Sequence, residues 1–376
     1  MDTKAEFDVI VVGAGIIGSL SAWRLAQEGY RVALVDAGQP GGQASNAAAG
    51  ILSPSAEVDR AGPFWELTAL SLEHYDQMVE ELQEESGIEV DFRRSGVLQL
   101  PTLDDPGGER LHERYRWQSA LNPRIRWLSP PEVAEVEPAL ANWHLPAIYA
   151  PEEAQVHAPK MVQAAVRAAI WRGVQVWSGT PVEELRLRPS GQVEGVQLAR
   201  GAVRAHVGVV LAAGAWTGIL AHTIGLHLPV EPVRGQVLGL HHDGPFLRHI
   251  VFWGSRYLCP KPDGRLIAGA TEDAVGFEGR TSLKGLWQVS QALAELGLPM
   301  DSLVFERAWA GLRPKVPDGL PVLGPVPGYP GLFVASGHHR NGILLSAITA
   351  ELVIKWAAGK DLTPWAAFAP ERLLTR

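Results

Sequence analysis

Cysteine is nearly absent from this sequence, because Cys259 is the single example among 376 residues. One thiol can neither close a disulfide within the chain nor build a structural zinc site. The first six residues also lack the basic stretch and apolar run of a secretory signal peptide. Both absences predict a cytoplasmic protein that is stabilised by its apolar core.

Positive charge is also in short supply, with 33 Lys and Arg against 41 Asp and Glu and a formal net charge of −8. This balance argues against a nucleic-acid partner, because phosphate binding requires concentrated basic residues. Apolar residues make up 46 % of the chain, and this content excludes intrinsic disorder. A chain of this length predicts about two domains.

Charged residues are missing altogether from residues 205–230, a stretch long enough to span a bilayer. The same stretch nevertheless contains four glycines, three histidines and Pro229. These residues favour a buried strand, a loop and a short helix over a membrane span. We therefore expect no stable membrane insertion.

The beginning of the chain predicts a strand, a glycine turn, a helix and a second strand. Residues 7–12 form a short apolar run of the kind found in parallel strands that are buried on both faces. A helix over 16–28 and a strand over 31–36 complete a βαβ unit. Further elements are predicted as helices near 65–85, 161–172 and 342–358, strands over 174–177, 207–212 and 332–336, antiparallel strands within 252–270 around a turn at 262–264, and a short strand near Val322.

These elements predict an α/β fold in which a Rossmann-like nucleotide-binding domain is interleaved with an antiparallel-sheet substrate domain. The parallel type of strand occurs at both ends and in the middle of the chain, with antiparallel signals between. We therefore expect a discontinuous nucleotide-binding domain over residues 1–85, 150–220 and 310–376. The substrate domain would then comprise residues 86–149 and 221–309.

The turn after the first strand, Gly13-Ala-Gly15-Ile-Ile-Gly18, has the glycine spacing of dinucleotide-binding sites. The first glycine permits a tight turn, the second lets the backbone approach a pyrophosphate, and the third allows helix and strand to pack closely. The helix amino terminus offers N–H groups and a partial positive charge to the phosphates. Asp36 ends the second strand, where a carboxylate can accept both ribose hydroxyls. The pattern predicts dinucleotide binding without distinguishing FAD from NAD.

Two features favour FAD. The sequence has one such fingerprint, whereas flavin enzymes that also bind a nicotinamide have two nucleotide sites. Residues 41–51 follow the second strand and are rich in Gly, Ala and Ser, whose small side chains permit close approach to a flat, extended ligand. By composition alone, a flexible loop fits the same residues equally well.

Several segments together resemble the D-amino-acid oxidase family of FAD-dependent oxidoreductases. They are residues 13–18, Asp36, residues 41–52, Trp309-Ala-Gly-Leu-Arg-Pro314 and Gly337-His-His-Arg-Asn-Gly-Ile-Leu344. The resemblance covers essentially the whole chain and is greatest to the glycine-oxidising members that serve thiamine biosynthesis. It implies a FAD-binding domain of the glutathione-reductase type. It also implies non-covalent FAD, because the sarcosine oxidases of this family attach flavin to a cysteine at a position where this chain has none.

The resemblance also assigns the residues that surround FAD. They are Gly13, Gly15, Ile16, Ile17, Gly18, Asp36, Ala37, Ala44, Ser45, Ala49, Gly50, Ile51, Val182, Ala213, Gly214 and Trp216, together with His338, His339, Arg340, Asn341, Gly342, Ile343 and Leu344. The last segment has a physical interpretation as well, because a helix amino terminus there would stabilise the negative charge of reduced flavin. Its two histidines lack further ligands at metal-binding spacing, so we predict no metal. Taken alone, Trp216 is more typical of a core than of a cofactor contact.

Arg313, Tyr257 and Arg340 are the candidate catalytic residues. The planar guanidinium of Arg313 can hold a substrate carboxylate through two parallel hydrogen bonds, although a structural ion pair would explain an isolated arginine as well. The resemblance implies that Tyr257 helps to hold the same carboxylate, whereas by itself it is an ordinary strand aromatic. It places Arg340 beside the active-site entrance or the flavin.

The resemblance implies oxidative deamination of a small amino acid, above all of glycine to glyoxylate, ammonia and hydrogen peroxide. Oxygen is then the electron acceptor, and a homo-oligomer, by resemblance a tetramer, is expected. Ser255, Arg256 and Glu272 depart from the family pattern near the substrate and leave sarcosine, other N-methylglycines and small D-amino acids open. The alternatives are a dehydrogenase that uses a non-oxygen acceptor, a FAD-binding protein without amino-acid turnover, and an NAD-dependent dehydrogenase.

Overall fold

The computed structural model describes residues 6–102, 104, 105, 107–242, 246–298 and 300–374. The strands of this part are β1 (Phe7–Val12), β2 (Val32–Val35), β3 (Ile51–Leu52), β4 (Val97–Leu100), β5 (Arg126–Leu128), β6 (Ala147–Ala150), β7 (Ala154–Gln155), β8 (Gln175–Trp177), β9 (Val182–Leu187), β10 (Val193–Leu198), β11 (Gly201–Leu211), β12 (Glu231–His241), β13 (Ile250–Trp253), β14 (Arg256–Pro260), β15 (Arg265–Gly269), β16 (Val304–Lys315), β17 (Val322–Pro325) and β18 (Leu332–Ser336).

The helices of the same part are α1 (Ile16–Gln27), α2 (Ala44–Ala47), α3 (Pro54–Glu57), α4 (Pro63–Glu73), α5 (Tyr75–Ser86), α6 (Glu109–Leu121), α7 (Pro130–Val136), α8 (Ala158–Trp171), α9 (Thr217–His222), α10 (Leu283–Glu295) and α11 (Ser346–Ala357). Short 3-10 turns include Gly214–Trp216 and His339–Asn341. Among the described residues, none of the helices combines the length and apolar composition that crossing a bilayer requires.

The first sheet has the strand order β17-β18-β11-β1-β2-β8. The pairs from β18 to β8 are parallel, and β17 is antiparallel to β18. The hairpin of β9 and β10 extends from β11. The centre of the sheet is buried on both faces, as the apolar run of β1 predicts. α1, α8 and α11 pack on one face, and Leu185 and Val193 of the β9–β10 hairpin pack with Ile10 on the other. This confirms the Rossmann-like α/β expectation.

The second sheet has the order β16-β12-β15-β14-β13-β4-β6-β5. It is antiparallel as expected, apart from the parallel pair of β4 and β13. The predicted antiparallel strands within 252–270 are confirmed, and the turn at residues 262–264 joins β14 to β15. The sheet is therefore built from two segments of chain that are separated by much of the first sheet.

The expected domain boundaries can be compared with sheet membership. The boundary at residue 310 falls inside β16, which pairs with β12 as far as Lys315. Beyond the expected boundary at residue 220, Leu226, Leu228 and Val230 pack in a core cluster with residues of the first sheet. The division into two domains itself stays a prediction.

Most of the predicted elements are confirmed, with differences at their ends. Residues 205–230 form the end of β11, a 3-10 turn and α9, as expected. The helical stretch near 65–85 is divided into α4 and α5 at His74. α8 begins at Ala158, because the side chain of His157 caps it by accepting from the N–H of Lys160 at 3.3 Å.

The helix predicted over 342–358 is wrong at its beginning, since α11 begins at Ser346. The hydroxyl of Tyr75 donates to the carbonyl of Ile343, and the hydroxyl of Ser71 donates to that of Leu344 at 2.6 Å. These side chains take carbonyl oxygens that regular helical N–H groups would otherwise use. The segment between β18 and α11 is therefore a series of tight turns.

Candidate active site

A cavity of about 610 Å³ lies between the two sheets. Its walls include the residues at the carboxyl ends of β1, β2, β11 and β18, where ligands of parallel α/β sheets bind. The opposite walls come from β12, β14 and β16 of the second sheet. The volume is within the usual range for small-molecule sites.

The cavity brings together most of the predicted site residues. Its walls include Gly13, Gly15, Ile16, Ile17, Asp36, Ala37, Ala44, Ser45, Ala49, Gly50, Ile51, Val182, Ala213, Gly214, Trp216, Tyr257, Arg313, His338, His339, Arg340, Gly342 and Ile343. Three predicted residues, Gly18, Asn341 and Leu344, are not part of these walls. A Cβ on Gly18 would lie 1.8 Å from the carbonyl oxygen of Gly13, so this glycine serves the close packing of α1 on the turn. Asn341 and Leu344 are buried.

The glycine turn after β1 is fixed by close contacts. Gly13 has a φ of +102°, and a Cβ there would lie 2.4 Å from the carbonyl oxygen of Ala212. The two carboxylate oxygens of Asp36 accept from the N–H of Ala14 and the N–H of Gly38, each at 2.7 Å. The carboxylate is thereby held at the cavity wall. It keeps further lone pairs for a ligand, because a carboxylate can accept about four hydrogen bonds.

These residues fit FAD. The amino terminus of α1 opens at the cavity without a side chain on its N-cap, Gly15, so a pyrophosphate can approach its N–H groups. The segment after β2 places the small residues of 44–50 on the wall. Gly50 has a φ of +80°, and a Cβ on it would lie 2.0 Å from the carbonyl oxygen of Val156. The chain therefore provides a narrow, backbone-lined cradle next to the carboxylate of Asp36.

Arg313 extends from β16 into the same cavity. One of its nitrogens, Nη1, donates to the carbonyl of Thr271 at 3.1 Å. A Cβ on Gly235 would lie 2.3 Å from the Arg313 Cζ, so the neighbouring strand makes room for the guanidinium. Burial lowers the pKa of Arg313 from its ordinary value. Among the described residues, no carboxylate lies within 4.0 Å of this guanidinium. The structural ion pair that could also explain this arginine is therefore not formed among the described residues.

Tyr257 lies on β14, and its ring is buried in the cavity wall. A Cβ on Gly269 would lie 2.7 Å from its hydroxyl oxygen, so β15 leaves room for this ring. Burial raises the pKa of the Tyr257 phenol, and the nearby Arg313 opposes this effect only in part. At neutral pH the hydroxyl is therefore protonated and can donate a hydrogen bond.

Arg340 is tied to two neighbours. Its Nε and Nη2 donate to the two oxygens of Glu57 at 2.8 and 3.0 Å, and its Nη1 donates to the carbonyl of Ser255 at 2.9 Å. Burial would lower the pKa of Arg340, but the Glu57 carboxylate outweighs this effect and raises it. Arg340 thus links α3, the turn after β18 and the turn between β13 and β14. Its charge is already matched.

A second ion pair lies beside Arg313. Oε1 of Glu272 accepts from Nζ of Lys315 at 3.0 Å and lies 3.1 Å from Nε2 of His339. Burial lowers the pKa of His339 to about 4, so this imidazole is neutral at pH 7. The other histidine, His338, bonds through Nε2 to the hydroxyl of Thr349 at 3.1 Å. His338 is therefore hydrogen-bonded, whereas the buried Nε2 of His339 has no hydrogen-bond partner among the described residues, although it lies close to Glu272.

Sequence reasoning missed Glu57, Gly235 and the carbonyl of Thr271. Glu57 meets Arg340 across 283 positions of sequence, and no local pattern marks such a pair. Gly235 is one glycine among 40. Its role depends on the side chain of Arg313 on another strand. These three groups can be recognised only when the strand pairing of the second sheet, or the contact between the two sheets, is known.

Comparison with known proteins identifies the family of this chain. The DAO family model, described as FAD dependent oxidoreductase, matches residues 8–356. The glycine oxidase of Geobacillus kaustophilus is 35 % identical over 366 residues, which are 96 % of this chain and 96 % of that protein. The bifunctional protein ThiO/ThiG of Synechocystis sp. is 34 % identical over 376 residues, with 98 % of this chain and 54 % of that protein covered. The crystal structure of glycine oxidase from Geobacillus kaustophilus superposes with a TM-score of 0.93 at 34 % identity and covers 98 % of this chain and 100 % of that one. This chain therefore belongs to the DAO family of FAD-dependent oxidoreductases.

Proposed function

We propose that this protein is a FAD-dependent glycine oxidase, which converts glycine, water and oxygen to glyoxylate, ammonia and hydrogen peroxide. The observation that carries the proposal is the guanidinium of Arg313, which is buried in the cavity without a carboxylate partner among the described residues. Such a group calls for an anionic ligand, since a buried charge is costly unless it is paired. The relatives named glycine oxidase support glycine as that ligand.

Arg313 would bind the substrate carboxylate through two parallel hydrogen bonds and so fix the position of the α-carbon. The hydroxyl of Tyr257 would donate a third bond to the same group. Because the amine reacts in its neutral form, the reaction does not need a side chain that removes the proton from carbon. Orientation by Arg313 and Tyr257 is then the main contribution of the chain.

FAD, when bound, supplies the electron acceptor that takes a hydride equivalent from the α-carbon and passes two electrons to oxygen. The turns of residues 338–343 contribute His338, His339, Arg340, Gly342 and Ile343 to the cavity wall, whereas α11, whose amino terminus was expected at this place, begins only at Ser346. Glu57 holds Arg340 in place on the same wall and matches its charge. We assign it to positioning and to closing the cavity between the sheets.

The proposal includes several features that go with the family. We propose oxygen as the acceptor, non-covalent FAD, a cytoplasmic location and a homo-oligomer. The single cysteine, Cys259, lies on β14 and is buried, which supports a non-covalent cofactor. A role in thiamine biosynthesis is supported by the relative named ThiO/ThiG. FAD-dependence sets aside the NAD-dependent alternative.

The decisive experiment is anaerobic mixing of the purified, FAD-loaded protein with glycine, sarcosine, N-ethylglycine and D-alanine at equal concentrations. We expect glycine to bleach the flavin absorbance fastest, and we expect one peroxide per glyoxylate when air is admitted. Fast bleaching without peroxide under air would instead indicate a dehydrogenase. If none of these amines bleached the flavin, the protein would bind FAD without amino-acid turnover and the proposal would be wrong.

A further inference from the structure

Two arginines, Arg313 and Arg340, line the cavity, and a third cation, Lys315, lies outside its wall, two residues beyond Arg313 on β16. Two of these three cations are already paired with a carboxylate. Arg340 is paired with Glu57 at 2.8 and 3.0 Å, and Lys315 is paired with Glu272 at 3.0 Å. Arg313 is the cation that keeps its charge for a ligand. One positive charge, that of Arg313, therefore remains to pair with one carboxylate of a ligand.

Glu272 is the carboxylate that neutralises Lys315, the more exposed of the two paired cations. It follows the segment whose Thr271 carbonyl accepts from Arg313, and its carboxylate meets both Lys315 and His339. Lys315 is two residues beyond Arg313 on β16 and therefore extends from the same face of the strand. Its side chain is 43 % exposed, so it can move when it is released.

We propose that Glu272 determines charge specificity. By occupying Lys315 beside Arg313, it restricts the site to amino acids with a single carboxylate. It would exclude substrates that carry a second acidic group, such as acidic D-amino acids and N-carboxymethylated glycines. Glu272 is not part of the cavity wall and acts through Lys315, so it is a positioning residue. The inference rests on the proposed function only in placing the substrate carboxylate at Arg313.

The physical reason is the cost of burying an unpaired anion. A second carboxylate in this cavity would lose its hydration, while Arg340 and Lys315, the further cations near Arg313 in the described part of the chain, are both already paired. It would also be repelled by the negative charge of Glu272. Specificity of this kind depends on a repulsive element as much as on an attractive one. Removal of the Glu272 charge leaves Lys315 free and adds one net positive charge next to Arg313.

The test compares two unreactive ligands, acetate and malonate, in the FAD-loaded protein. Their dissociation constants are measured from the perturbation of the flavin spectrum, so no turnover is needed. We expect the unchanged protein to prefer acetate. In Glu272→Gln, which keeps the shape and removes the charge, we expect the ratio of malonate to acetate affinity to rise by about tenfold. In the same variant, added salt should reduce the gain.

Three variants serve as controls. Glu272→Asp keeps the charge and should keep the ratio of the unchanged protein. Glu278→Gln removes an acidic charge from the same connection between β15 and α10, where Glu278 pairs with exposed Arg280, and should also leave the ratio as it is. The double variant Glu272→Gln, Lys315→Gln should lose the gain, because the released cation is then gone.

The outcomes separate this inference from the proposed function. A Glu272→Gln protein that binds acetate and malonate with an unchanged ratio would overturn the inference. So would a gain that persists in the double variant, because Lys315 would then have no part in it. Neither result depends on glycine turnover. Conversely, absence of flavin bleaching by glycine would overturn the proposed function and leave the ratio measurement valid.

Discussion

At the scale of single residues, the guanidinium of Arg313 is the group whose loss should affect the reaction most. In Arg313→Ala, the substrate carboxylate would be buried without a partner. We expect the transition state for glycine to lose about 3 kcal/mol or more of stabilisation, so that kcat/KM falls by a factor of about 150 or more. Steady-state kinetics measure this directly. Arg313→Lys is the matched control, because it keeps the charge and loses the fork, so it should retain part of the activity. Equal activity of Arg313→Ala and the unchanged protein would refute the assignment.

At the scale of elements, the short helix α3 is held in place by a buried carboxyl group. Glu153, between β6 and β7, accepts from the N–H of Ser55 at 2.6 Å and from its hydroxyl at 2.8 Å, and the hydroxyl of Ser53 donates to it as well. α3 in turn presents Glu57 to Arg340. Burial raises the pKa of Glu153 to about 7, which its hydrogen bonds oppose only in part.

This pKa predicts how stability depends on pH. Between about pH 4.5 and pH 7 the folded chain keeps a proton on Glu153 that the unfolded chain releases, so the free energy of unfolding falls as pH rises. We expect this group to contribute a fall of roughly 3 kcal/mol across that window and nothing further above it. Urea unfolding at pH 5 and pH 8 measures the effect. Glu153→Gln should remove this part of the pH dependence, and an unchanged dependence in that variant would contradict the prediction.

Elements whose signals are local could be predicted from the sequence. The βαβ unit around Gly13 depends on apolar periodicity and a glycine turn, and the turn at residues 262–264 depends on its own residues. The late beginning of α11 at Ser346 could not be predicted, because it depends on hydroxyl groups of Tyr75 and Ser71 on other helices. The parallel pairing of β4 with β13 is similar, since more than a hundred residues separate the two strands.

The residues of the candidate site likewise divide into those with a local sequence signal and those that depend on long-range contacts. Gly13 and Asp36 could be identified because a βαβ unit brings them together within thirty residues. The proposed role of Arg313 as a carboxylate ligand rests on the family resemblance, since a structural ion pair is the better explanation of this arginine from the sequence alone. No sequence pattern identified Glu57, because its role depends on an ion pair with Arg340, which is 283 positions away in the sequence. Residues that act through long-range packing are therefore the ones that sequence patterns miss.

At the scale of the whole molecule, the cavity is also the junction between the two sheets. Its walls combine the ends of β1, β2, β11 and β18 with residues of β12, β14 and β16. Side chains also cross this junction directly. Arg340 donates to the carbonyl of Ser255 at 2.9 Å, Trp309 of β16 donates through Nε1 to the carbonyl of Ala47 at 3.1 Å, and Nζ of Lys261 donates to the carbonyl of Val156 at 3.1 Å. A ligand that fills the cavity would therefore contact both sheets and stabilise the chain as a unit.

Removal of FAD should accordingly lower the stability of the entire chain. At free FAD one hundred times above its dissociation constant, we expect a gain of about 2.7 kcal/mol in the free energy of unfolding, which thermal melts at increasing FAD concentration would measure as a rising Tm. Gly15→Val is the matched control. Gly15 has a φ of −69°, which other residues adopt, so the variant should fold, but its side chain would crowd the pyrophosphate site. Its Tm without FAD should stay near that of the unchanged apoprotein, while the FAD-dependent rise should disappear. If Gly15→Val were stabilised by FAD as fully as the unchanged chain, the glycine turn would not be where the cofactor binds.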